Sequence, residues 1–303
     1  MAGTDRAGGA PAPGGAGGAA PRGELARFAL HTVTTKPWPL ETAIDAYARA
    51  GFGGISIWRE ALEGREPTAV RRRLREAGLQ GVSLVRGGFF AAAEAARRRE
   101  ALEENRRVIA EAAELELPLV VLVVGADPAQ SLEESRRQIA EALEYLAPVA
   151  REAGLRLAIE PLHPMYADTR SAVNSLGSAL DLALGLDATR QDRETRRWPV
   201  ICTALDVYHL WWDPELSAQI RRAGRSGMIG AFHVCDWKVP TEDLLLDRGL
   251  MGEGCIDIPG IRRELETAGF VGLREVEIFS RHYWSIDQGE WLEMIADACL
   301  RAV

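Results

Sequence analysis

The sequence predicts an α/β protein, a (β/α)8 TIM barrel formed as a single domain over residues 25–303, on three observations. Short apolar or β-branched runs alternate with longer amphipathic stretches, the pattern of βαβ units that build a parallel sheet. Eight such units fit in roughly 280 residues, near the ~250 typical of a closed barrel. The first apolar run is followed by TVTTKPWP (32–39), where a doubly wound nucleotide-binding sheet would usually place a Gly-rich phosphate turn.

Taken in chain order, residues 1–24 are nearly all Gly, Ala and Pro. They offer little to bury against their ordering entropy, so a disordered tail is expected there. Eight candidate strands follow: FALHT (28–32), GGISIW (53–58), GVSLV (81–85), LVVLVV (119–124), LRLAIE (155–160), VICTALD (200–206), MIGAFHVCD (228–236) and LREVEIF (273–279). Between them lie helical patterns over 40–51, 68–78, 99–115 and 131–154. Ser131-Leu132-Glu133-Glu134 has the S-x-x-E form of a capping box, and Gly51, Gly78, Gly154 and Gly269 stand where helix ends call for a left-handed residue.

Composition narrows the function. A net charge of −8 opposes a partner made of phosphate backbone, and the Arg-rich stretches 71–73 and 97–99 read as solvated helix faces. No apolar run reaches the ~18 residues of a membrane span. The four cysteines lack CxxC spacing, which suits a reducing cytoplasm. The expected partner is a small molecule, with no nucleic acid and no membrane; a homo-oligomer is left open.

In barrels of this kind the active site forms at the C-terminal ends of the strands, so a polar residue ending an apolar run is the feature to seek. Four consecutive strands supply one: Glu160, Asp206, His233 and Glu277. Singly, an acid there reads as a cap or ion-pair partner, and His233 as a core histidine. Together they make a hard, oxygen-rich set suited to one divalent ion, Mn²⁺ first and Mg²⁺ or Co²⁺ after it, with positions left for two substrate oxygens. Glu275 shares the strand face of Glu277 by the period of two, and Glu277 is nearer the strand end. Trp38, Trp58 and Trp237 follow predicted strands, where their rings could pack either on a sugar or in the core. Arg86 could grip a phosphate or carboxylate, or form a structural ion pair; Lys238 and Arg248 are weaker candidates for the same role.

The runs IEPLHP, LDVYH, FHVCDW, RGLMGEGCID and EVEIF resemble the xylose isomerase-like barrel superfamily, and within it the sugar phosphate isomerases/epimerases. The resemblance implies that Glu160, Asp206, His233 and Glu277 hold the metal, and that His209 faces the substrate; His163 of the IEPLHP run is a further substrate-binding candidate. It also implies a divalent-metal-dependent isomerase or epimerase working through a metal-stabilised enediolate, Glu160 and Glu277 removing and returning the proton. With a leaving group at the β position the same chemistry becomes elimination, so a lyase or dehydratase on a keto-sugar, inosose or 3-keto-glycoside is the alternative. An apurinic endonuclease-like hydrolase or a non-catalytic sugar-binding barrel ranks below both. The chain departs from ketose 3-epimerases: Pro161-Leu162-His163-Pro164 stands where they carry a further glutamate, and the nearest Arg after His233 is Arg248.

Overall fold

A computed structural model describes residues 23–188 and 199–303. The expected 1–24 tail lies outside the described residues but for its last two. The strands are β1 (Phe28–His31), β2 (Gly54–Trp58), β3 (Gln80–Gly88), β4 (Leu119–Val123), β5 (Arg156–Ile159), β6 (Ile201–Asp206), β7 (Ile229–Val234) and β8 (Arg274–Val276). Each pairs in parallel with the next, and β8 with β1, to close the barrel; Leu30 has Ile55 on one side and Val276 on the other.

The helices are α1 (Leu40–Ala50), α2 (Pro67–Ala77), α3 (Ala95–Glu114), α4 (Leu132–Glu152), α5 (Leu176–Ala188), α6 (Val207–Leu210), α7 (Leu216–Arg225), α8 (Ile258–Thr267), α9 (Arg281–Ser285) and α10 (Gln288–Ala302). The Ser131 hydroxyl accepts from the Glu134 amide at 3.1 Å, so α4 begins where the capping pattern put it. Gly51 closes α1 at φ +93°, a conformation in which a Cβ would be strained. Among the described residues, no helix is long and apolar enough to cross a membrane.

Strand alternation sorts the buried side chains into two layers. Leu30, Ile55, Ile57, Leu84, Leu157, Leu205, Phe232 and Val276 pack outward into the helix–sheet core. The residues between them fill the barrel, where Val85, Val121, Ala158, Cys202, Ala204 and Ala231 form a separate cluster. Toward β8, β1, β2 and β3 the interior is polar instead, with Glu275, His31, Ser56 and Ser83 all buried. Small residues on β5 to β7 thus face a buried polar network from the opposite wall.

Two strand ends differ from the sequence expectation. β8 stops at Val276, leaving Glu277 just beyond it. β3 continues past Val85 to Gly88, and its pairing with β4 slips between Val85 and Gly87. Arg86 is therefore the extra residue of a bulge inside the strand, not its terminus.

A candidate metal centre at the barrel mouth

Glu160 follows β5, Asp206 ends β6, His233 lies one residue from the end of β7, and Glu277 follows β8. All four occupy the interior parity of their strands. Asp206 is opposite His233 in the ladder, and His233 opposite Glu275. Asp206 also caps α6, its Oδ1 accepting from the Tyr208 amide at 2.8 Å. One donor atom from each of Glu160, Asp206, His233 and Glu277 lies within 4.8 Å of the others, forming a group able to hold a metal ion. None of the four is more than 5% exposed.

The imidazole is turned edge-on to the carboxylates. His233 Nδ1 is 2.9 Å from Glu160 Oε1 and 3.9 Å from Glu277 Oε2, while Nε2 points toward Glu275 at 3.8 Å. Arg248 reaches the same place from the loop after β7. Its Nη1 donates to Asp206 Oδ2 at 3.0 Å and Glu277 Oε2 at 3.1 Å, and its Nη2 lies 3.2 Å from His209 Nε2. The guanidinium sits against the rings of Tyr208 at 4.5 Å and Phe279 at 5.0 Å.

The charge balance suits a divalent cation. Four buried carboxyl groups, on Glu160, Asp206, Glu275 and Glu277, face a single buried guanidinium, that of Arg248, and a bound divalent ion would add two positive charges among them. Two like charges ~4 Å apart repel by ~4 kcal/mol at an effective dielectric of ~20, so such crowding calls for a cation. The protonation behaviour reflects that demand. Burial pushes Asp206 up to about 6, against the pull of Arg248. Burial opposes the charge on His233, yet the bond to Glu160 and the charges of Glu275 and Glu277 raise it to about 10. His209 goes the other way, held well below its usual value by burial and then by Arg248. A neutral His209 accepting from Arg248 through Nε2 carries its hydrogen on Nδ1, and Nδ1 is buried without a partner.

A sequence model of xylose isomerase-like TIM barrels matches residues 44–300. The chain belongs to the xylose isomerase-like TIM barrel family. The structure of protein SMc04130 from Sinorhizobium meliloti 1021 is similar over 92% of this chain and 99% of its own, with a TM-score of 0.86 and 40% identity. IolI, solved with a zinc atom bound, is 19% identical over 90% of this chain and 96% of its own, at a TM-score of 0.75. The 3-keto-D-glucoside 4-epimerase YcjR from E. coli is 18% identical over 87% and 94%, at 0.67. No curated protein matches the sequence.

The other predicted site residues of this xylose isomerase-like barrel divide into two groups. Trp38, Trp58 and Arg86 line a cleft of about 480 Å³ at the mouth. Trp237 and His163 stand elsewhere, their rings stacked 5.2 Å apart, with Trp237 also 4.7 Å from Tyr208. Burial lowers the His163 pKa. Asp236 of the FHVCDW run is fully engaged in loop structure, accepting from the amides of Trp237, Gly252 and Ile256 at 2.8, 2.9 and 3.1 Å.

The sequence reading passed over the support beneath the centre. His31 Nδ1 lies 2.9 Å from Glu277 Oε1, and its Nε2 3.4 Å from Glu275 Oε2. Glu275 accepts from the hydroxyls of Ser56 at 2.5 Å and Ser83 at 3.3 Å. His31 carried the same signal as the four ligand candidates, a polar residue closing the apolar run FAL.

Proposed function

We propose that this chain is a divalent-metal-dependent sugar isomerase or epimerase that moves a proton on the carbon next to a carbonyl. The observation that carries this is the four-residue group itself, with donor atoms from Glu160, Asp206, His233 and Glu277 within 4.8 Å of one another. Its three carboxylates and one imidazole favour Mn²⁺, with Mg²⁺ or Co²⁺ as substitutes. When bound, the ion would polarise the substrate carbonyl and offset negative charge developing on its oxygen. The zinc-bound relative and the keto-glucoside epimerase sharing the fold support this reading.

The chain's own residues divide the remaining work. Glu160 and Glu277 come from non-adjacent strands on either side of His233, so each can present a carboxylate to a different side of a substrate in the centre. The unpartnered Nδ1–H of His209 is a ready donor to a substrate oxygen. Arg248 holds Asp206 and Glu277 at a fixed spacing, which preserves the donor set between turnovers.

The decisive experiment is metal analysis followed by solvent-deuterium exchange across a panel of ketoses, inososes and 3-keto-glycosides. Near-stoichiometric divalent metal and metal-dependent incorporation of one deuteron into at least one substrate are expected. No metal affinity, or no exchange anywhere in the panel, would sink the proposal.

A further inference from the structure

We propose that the cleft beside the metal centre binds an anionic group of the substrate, a carboxylate or a phosphate, through Arg86, Arg170 and Lys36. This rests on the isomerase assignment and narrows its substrate class to acidic or phosphorylated sugars.

The cleft neighbours the centre through two side chains of its wall. Its wall includes Trp58, whose Nε1 lies 3.2 Å from Nδ1 of His31, and Phe279, which packs on Arg248. At about 480 Å³ it holds a molecule of monosaccharide size. Four cationic side chains line it, Lys36, Arg65, Arg86 and Arg170, against one carboxylate, Glu60. That excess stands out in a chain of net charge −8. Arg65 is accounted for by its ion pair with Glu41. Among the described residues, the other three make no ion pair, and each lies by an aromatic ring instead: Lys36 by Trp284 at 4.9 Å, Arg86 by Phe89 at 4.5 Å, Arg170 by Tyr166 at 5.5 Å. Arg86 and Arg170 are only partly exposed. Burial first, then the charge of Arg170, holds the Arg86 guanidinium below its usual range. Glu60 and Glu160 offset part of this from a distance without forming an ion pair; two such cations lose solvation and repel each other, and an anion between them relieves both costs.

Arg86 is aimed by a local device. It is the extra residue of the β3 bulge, and bulges beside active sites redirect a side chain out of the ladder. Gly88 makes the bulge possible at φ +112°, where a Cβ would fall 2.0 Å from the Val123 carbonyl oxygen. Buried Asn105 of α3 locks it, accepting from the Gly88 amide at 2.7 Å and donating to the Gly88 carbonyl at 2.8 Å.

The test is calorimetric titration of the metal-loaded protein with D-glucose, D-gluconate and D-glucose 6-phosphate, repeated on Arg86→Gln and Arg170→Gln. At least one acidic sugar should bind ten-fold or more tightly than D-glucose, the better of the two assigning carboxylate or phosphate. Each variant should lose most of that preference while keeping its metal content and its affinity for D-glucose. Equal affinity for neutral and acidic sugars, or a preference that survives in both variants, would overturn the proposal. Those outcomes leave metal content and deuterium exchange untouched, so they are distinguishable from failure of the isomerase assignment.

Discussion

His31 holds its Nδ1 2.9 Å from Oε1 of Glu277, at the point where β1 and β8 close the barrel. Its other nitrogen approaches Glu275, which the hydroxyls of Ser56 and Ser83 also engage. Glu277 is thereby anchored from behind. Burial opposes its ionisation, but His31, His233 and Arg248 together keep its pKa below the usual carboxylate range.

Replacing this anchor should weaken the metal more than the fold. His31→Asn is expected to reduce Mn²⁺ affinity ~10- to 100-fold, the usual effect of losing a partner that orients a ligand. Titration of the metal-free protein followed by calorimetry measures it. Unchanged affinity would mean that Glu277 needs no support from β1.

Arg248 offers a separate handle, because it is the only guanidinium bonded to Asp206 and Glu277 among the described residues. Arg248→Met would take the guanidinium from two buried carboxylates, a loss of roughly 3–5 kcal/mol for broken buried pairs. The metal-free variant should therefore melt well below the metal-free wild type. Saturating Mn²⁺ should then stabilise the variant more than the wild type, since the ion substitutes for the missing charge. Equal stabilisation of the two would show that Arg248 does not share the charge-balancing role with the metal.

How much of this was legible beforehand depends on the kind of signal. Runs such as LRLAIE and VICTALD, which end on a polar residue, announced the barrel and offered a candidate ligand together. The bulge at Arg86 did not, because it depends on a slipped register with β4 and on Asn105 from another element. Arg248 was visible as a candidate for gripping a substrate anion, but its bonds to Asp206 and Glu277 were not: it is 42 residues from Asp206 and 29 from Glu277 in the chain, and only loop closure brings it to them. His31 was visible in FALH, yet a lone histidine on an apolar strand reads equally well as packing until Glu275 and Glu277 are seen beside it.

Asn105 links the helix layer to the cleft, and its removal should be felt in both places. Asn105→Ala leaves the Gly88 amide and carbonyl without their side-chain partners, at a cost of about 1–3 kcal/mol per buried polar group left unsatisfied. Denaturant unfolding reads that loss. The same variant should weaken acidic-sugar binding while D-glucose affinity holds. Full retention of acidic-sugar binding in a destabilised variant would detach the bulge from the aim of Arg86.

The last prediction concerns the two proposed proton carriers, Glu160 and Glu277. Both approach Nδ1 of His233, but their other contacts differ: Glu160 lies on His233 alone among the site's nitrogens, whereas Glu277 is also shared by His31 and Arg248. A Gln at either position keeps one oxygen for the metal and removes the ability to take a proton. Net isomerisation should fall at least ~10²-fold in each variant, the usual cost of losing a general acid or base. The accompanying structural cost should differ. Glu277→Gln disturbs contacts with Arg248 and with two histidines and should lower thermal stability, while Glu160→Gln should be the milder of the two. Deuterium exchange without net isomerisation in one variant would identify the surviving glutamate as the group that first removes the proton. Wild-type turnover in both, with metal still bound, would move the proton-transfer role away from this pair and toward His209 or His163.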